Sequence, residues 1–352
     1  MTNLIMQLRT IFIQSASVVF VSGGAVAQLW TDPEDEKLPP DFQIQGEYVG
    51  KNAGAQVIAL GNGEFQAVLY PGGLPGAGWD GKNKSLMDGK LSGSKAVFVP
   101  AEGKKKYMAK SGAEFSATAK FPPAGHQPFS GTIAGGVLSG KTAGGKSFSL
   151  ERTIRKSPSL GKKAPTGAKV LFDGSKESME NWAGGRLDEK TGLLNTDGRD
   201  ILTKVKFLNY TMHLEFMLPF RPDARSQGRG NSGFYQVDLY EMQILDSFGL
   251  MGLNNECGGI YQKANSLVNM CLPPLQWQVY DVEFASAVVE GGKKTKNAVL
   301  TAMLNGVTIH DKLEINGKTG GARNEPEGTP GPIKLQGHGN PLQFRNVWIV
   351  PK

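Results

Sequence analysis

From Gly46 onward the chain is written in short runs that alternate apolar and polar residues, and a period of two commits a chain to β-strands. QVIALG, EFQAVLYPG, KAVFVPA, FSGTIAGGVLSG and SFSLERTIR fill the first half. YTMHLEFMLPF, NSGFYQVDLYEMQIL, WQVYDVEFAS and AVLTAMLNGVTIHD fill the second. Each strand-like run covers about 5–8 residues and is closed by Gly, Pro, Asn or Ser, the pattern of antiparallel hairpins. Asn305-Gly306 is the strongest hairpin signal among them. Glycine (47 of 352 residues) has no period of three, and an apolar fraction of 39% is ample for a core, so collagen-like and disordered chains are excluded. No long helical period appears, which excludes a coiled coil. The expectation is an all-β protein in two units, the second with about a dozen strands in a two-sheet sandwich.

The N-terminus reads as a targeting segment. Arg9 is the only charge before Asp32, residues 11–22 are apolar, and Ala25-Val26-Ala27 has the small-x-small form of a cleavage site. Residues 1–27 are therefore expected to be a signal peptide, and the mature chain to be exported to the periplasm or the medium with no transmembrane helix. Residues 28–45 read as a flexible acidic leader, 46–156 as a small antiparallel β-domain of meander type, 157–168 (SPSLGKKAPTGA) as a linker, and 169–352 as the second unit. Cys257 and Cys271 are candidates for a disulfide, which export would permit.

The formal charge of +7 is confined to one region. Residues 1–89 carry a net −4, residues 90–169 a net +12 and residues 170–352 a net −1. The basic stretch, with Lys104, Lys105, Lys106, Lys110, Lys120, Arg152, Arg155, Lys156, Lys162 and Lys163, can attract an anionic polymer or an envelope surface. It can equally be a solvated strand face running into a basic linker. It lacks the aromatic interleaving used to bind nucleic acid, so no nucleic-acid partner is expected.

Within the second unit the ordered series FDG…NW, GRGNSGFY, YEMQILDSFG, GGIYQ, WQVYDVEF, LNGVTIHD and GPIKLQGHGNPLQFRNVWI resembles the 3-keto-disaccharide hydrolase family over residues 169–352. The resemblance implies a concanavalin A-like jelly roll. It also implies a substrate already oxidised at sugar C3, with no cofactor beyond a possible divalent metal. The first unit resembles a β-rich extension found beside this domain in some exported bacterial proteins.

Several side chains then stand out as site candidates. In YEMQILD, alternation puts Glu241 and Gln243 on one face and Met242 and Ile244 on the other. A carboxylate and an amide two residues apart suit hydroxyl recognition or proton transfer. Arg229 and Asn231 lie among small glycines in GRGNSG; Arg229 can fork onto a carbonyl or hydroxyl pair, or pair with Asp238 or Asp246 instead. His338 sits between two glycines as a candidate acid or base, with Arg345 seven residues on. Tyr261 in GGIYQ can stack on a sugar ring. A C3 ketone acidifies the C2 proton, so a base (His338 or Glu241) and an enolate stabiliser (Arg229, helped by Gln243 and Asn231) would suffice to expel the C1 group. A metal held by Glu241, His338 and Asp246 could replace Arg229, although no closed ligand motif is visible. An ordinary glycosidase needs two facing carboxylates, and only Glu241 is evident. The alternative from another class is a non-catalytic carbohydrate-binding module.

Overall fold

The computed structural model describes residues 29–102, 107–108, 114–142 and 144–352. The expected signal peptide and Lys104, Lys105, Lys106 and Lys110 lie outside the described residues. The chain is all-β, 45% strand against 4% helix. No described helix is long and apolar enough to cross a membrane.

Eight strands, Gly46–Gly50, Ala53–Gly61, Glu64–Pro71, Ser85–Ser92, Lys95–Pro100, Ser130–Ala134, Val137–Lys141 and Ser147–Thr153, each pair with the next. The last pairs with the first (Tyr48 opposite Arg152), so the meander is closed into a barrel. Closure removes the two exposed edges that an open meander would carry. Alternation divides the strand Glu64–Pro71 between two cores. Phe65, Ala67 and Leu69 point into the barrel. Val68 and Tyr70 join the core shared with the second unit.

Residues 30–45 behave differently from the mobile leader their acidity suggests. Among the acids stand Trp30, Leu38, Phe42 and Ile44, and these pack on the barrel core together with Phe220. Trp30 exchanges backbone hydrogen bonds with Phe220, and the short helix Pro40–Ile44 receives the Gly63 amide on Asp41. Four apolar side chains that find a core outweigh the solubility of their neighbours.

The second unit is a sandwich. One sheet runs in the order Arg186–Asp188, Leu193–Asn195, Gln343–Pro351, Tyr210–Met217, Trp277–Ala285, Ala298–Leu304, Val307–Ile315, with Lys169–Phe172 also paired to Gln343–Pro351. The other runs Trp182–Ala183, Ile201–Thr203, Lys334–Leu335, Ser232–Gln236, Tyr240–Ile244. Phe234 and Tyr240 of the second sheet meet Tyr280 and Phe284 of the first at ring separations of 6.1 and 5.6 Å, which fixes the packing between them. Asn305 and Gly306 both take positive φ (53° and 81°) and close the hairpin, as that dipeptide predicts.

The segment 157–163, a linker by composition, lies fastened to the outer face of the first sheet. Ser159 Oγ donates to Asp281 at 2.6 Å, the Gly161 amide to Glu215, and the Lys162 carbonyl accepts from Asn346 and from the Trp348 indole. Beneath it His213 is buried between Asp281 (2.7 Å) and Glu215 (3.3 Å) and stacked on Trp348. Outward-facing polar residues of a sheet thus become a second, polar core. The described part of the basic stretch is likewise drawn inward in places: Arg155 pairs with Glu47, and Arg152 donates to the Gln45 carbonyl.

Cys257 and Cys271 are two free, buried thiols. In place of the expected disulfide the two thiols share a hydrogen bond, with Cys257 Sγ also 3.3 Å from the Tyr280 hydroxyl and Cys271 Sγ donating to the Leu245 carbonyl.

Candidate active site

On the five-stranded sheet the alternation works as the sequence implies. Met242 and Ile244 enter the core, while Glu241 and Gln243 turn to the other face. The hairpin partner strand adds to that face. Tyr235 stands directly opposite Glu241 and Gly233 opposite Gln243. A Cβ on Gly233 would come within 2.5 Å of Glu241 Oε1, so only glycine leaves the carboxylate its place. Together with Gln227, Tyr261, Gln336, His338 and the Gly320-Gly321 loop, these side chains line a pocket of 160 Å³.

Glu241 forms the floor and is only 3% exposed. Burial raises its pKa to about 7, although the Tyr235 hydroxyl and the Lys334 ammonium both pull it down. The Tyr235 hydroxyl lies 2.9 Å from Glu241 Oε2 and 2.8 Å from the Gly320 carbonyl, and it accepts from Gln336. Lys334 sits over the Tyr235 ring at 3.8 Å, with its ammonium held by Asp238 at 2.6 Å. The Glu241 amide donates to Thr319 Oγ1, tying the strand to the loop that carries Gly320 and Gly321. His338 is exposed at the rim.

Four of the seven residues named from sequence therefore share one pocket: Glu241, Gln243, Tyr261 and His338. Asn231 stands one layer behind. Its amide donates to Gln227 Oε1, the same oxygen that Gln243 reaches at 3.3 Å, so it orients a lining residue and does not face the pocket itself.

Arg229 departs from expectation. It is fully buried, with Nε 2.6 Å from Asp246, Nη1 donating to the Pro222 carbonyl, and its plane over Phe115. A guanidinium so enclosed cannot approach a substrate, and its charge is answered by Asp246. Arg345 belongs to the opposite sheet, where it pairs with Glu215 at 2.8 Å over the Trp277 ring. With Asp246 committed to Arg229, the proposed metal set loses a ligand. The described residues contain no cluster of three or more metal-ligating acids, histidines or cysteines, so the side chains present do not fit such an ion.

Sequence reasoning missed Tyr235, Lys334, Gln336, Gln227 and the Gly320-Gly321 loop. Tyr235 alone carried a readable signal, since it shares its face with Gly233 in a strand that pairs with the Glu241 strand.

No curated protein matches the chain. Among solved structures, a proposed glycosyl hydrolase of Parabacteroides distasonis is 32% identical over 54% of this chain and 85% of its own, with a TM-score of 0.49. Two others from the same organism, named in the same way, are 19% and 22% identical with TM-scores of 0.40 and 0.36. They cover 53% of this chain and 94% and 99% of their own. The family model of the 3-keto-alpha-glucoside-1,2-lyase-like domain matches residues 167–350, just over half of the chain and all of the sandwich that carries the Glu241 pocket. The chain belongs to that family, and with it to the carbohydrate-active proteins.

Proposed function

We propose that the protein cleaves 3-keto-glycosides by elimination and hydration, with Glu241 as the base that removes the C2 proton. The observation that carries this reading is a carboxylate at the floor of a small pocket whose burial brings its pKa to about 7, where it can both take and return a proton near neutrality. The C2–H electron pair moves toward the C3 ketone to give an enolate. The enolate then expels the C1 oxygen with its substituent, leaving a C1–C2 double bond conjugated to the ketone. Water adds at C1 and a proton returns to C2. His338 at the rim supplies the leaving oxygen with its proton. Donors around the pocket, the Gln243 and Gln336 amides and the Tyr261 hydroxyl, are suited to the developing enolate oxygen.

The pocket volume of 160 Å³ falls below the roughly 300–1,000 Å³ of clefts that enclose whole ligands. It suits one sugar ring, with the leaving group outside. The family membership of residues 167–350 supports the keto-sugar class, and among the described residues Glu241 is the one carboxylate lining the pocket, which argues against direct displacement at C1. The N-terminal apolar stretch supports export. The test is aglycone release from a 3-keto-glucoside and from the unoxidised glucoside. Release from the keto form alone supports the proposal. Binding of both without release would make the unit a carbohydrate-binding module.

A further inference from the structure

The barrel has one end shut and one end open. At the shut end, beside the turn at Gly63, lie the helix Pro40–Ile44 and the Trp30–Phe220 contact. Strand register puts Gly50, Ala53, Pro71, Ser85 and Ser147 at the other end. There a cavity of 480 Å³ opens, three times the volume of the Glu241 pocket. Its depth is apolar, with Leu69 and Leu150 from the barrel core and the edge-to-face pair Phe129 and Phe148 at 5.7 Å. Its rim carries Lys51 and Lys146, both exposed, and no acidic residue lines it among the described residues. An eight-stranded barrel is just wide enough either to fill with side chains or to hold one small ligand. This one is filled at one end only.

We propose that the open end of the barrel is a second binding site, independent of the function assigned to Glu241, for a small amphiphile with an apolar body and one anionic head. The body lies against Phe129, Phe148 and Leu150, and the head meets Lys51 and Lys146. The chemical class is an alkyl or aromatic carboxylate of moderate size. The apolar walls supply most of the affinity, and the lysines choose the charge.

Calorimetric titration of the full chain with octanoate and with octanol tests this. One octanoate is expected to bind per chain, more tightly than octanol. Ala53→Trp, which fills the mouth, is expected to weaken both by about tenfold or more. Lys51→Glu combined with Lys146→Glu is expected to weaken octanoate by about tenfold and leave octanol unchanged. Both variants should retain activity at the Glu241 pocket, which shares no lining residue with this cavity. Absence of octanoate binding would overturn the proposal, as would an octanoate-to-octanol ratio that survives reversal of the two rim charges. Should Ala53→Trp fail to fold, the surface lysine variant decides alone.

Discussion

Glu241 and Tyr235 face each other across a two-stranded hairpin, with the tyrosine hydroxyl 2.9 Å from the carboxylate. The pair is buried from behind and open to the pocket from above. It explains how an acid can be held near neutrality and still reach a ligand.

The Glu241 pKa of about 7 sets a pH dependence. A base must be ionised, so the limb of the pH–rate profile that Glu241 sets should rise with pH through about 7. Glu241→Gln should lower the rate by about a hundredfold or more. Stability moves the other way. The folded pKa lies above the ordinary 4.5, so the unfolded chain releases this proton first as pH rises. The stability cost appears between about pH 4.5 and 7 and stays above it. Glu241→Gln should therefore be more stable than wild type at pH 8, by about 1–3 kcal/mol, with the gap closing toward pH 4. Thermal denaturation across that range checks the sign.

Tyr235→Phe removes the hydroxyl that lowers the Glu241 pKa. The rising limb of the pH–rate profile should move to higher pH, and the rate at pH 7 should fall by about tenfold. Gly233→Ala should cut the rate as well, because the new methyl takes the space of Glu241 Oε1. An unmoved limb in Tyr235→Phe would show that the pair does not set the titration.

Arg229 is predicted to hold the fold and not to touch substrate. Arg229→Ala should cost about 3–5 kcal/mol of stability, since it strands the Asp246 carboxylate in the interior. Replacing the pair together, Arg229→Met with Asp246→Leu, should restore much of that loss. If the double variant folds stably, it should retain most of its rate; a hundredfold loss there would return Arg229 to the catalytic machinery.

The His213 cluster should be felt as stability that depends on pH. Burial alone would lower the His213 pKa, but the hydrogen bonds that its ring gives to Asp281 and Glu215 outweigh it and raise the value above 6.5. Its contribution is then full below about 6.5 and lost as pH rises through the raised value. Wild type and His213→Gln should converge in melting temperature above that range. A constant difference would mean the histidine acts by packing on Trp348 alone.

Much of this architecture could be read from local pattern. Alternation assigned Glu241 and Gln243 to one face, and Asn305-Gly306 closed its hairpin. What escaped was set by distant partners. Asp246 stands among the partners that Arg229 could take, but the full burial of the pair and the Pro222 and Ala224 carbonyls that enclose the guanidinium leave no local pattern. Arg345 follows His338 closely, yet the chain crosses from one sheet to the other between Leu335 and Gln343, so the two side chains serve different faces. Barrel closure depends on Gly46–Gly50 meeting Ser147–Thr153 across about a hundred residues, a pairing no local signal encodes. In residues 28–45 the acids suggest a solvated leader, whereas Trp30, Leu38, Phe42 and Ile44 among them bind the segment to the barrel core.

The most direct test is the fate of the hydrogen at C2. A 3-keto-glucoside should be cleaved in heavy water by wild type and by Glu241→Gln, and the sugar product examined by mass spectrometry and NMR. The account predicts solvent deuterium at C2 in the wild-type product, with neither exchange nor release by the variant. Cleavage that leaves the original hydrogen on C2, or exchange at the wild-type rate by Glu241→Gln, would contradict it.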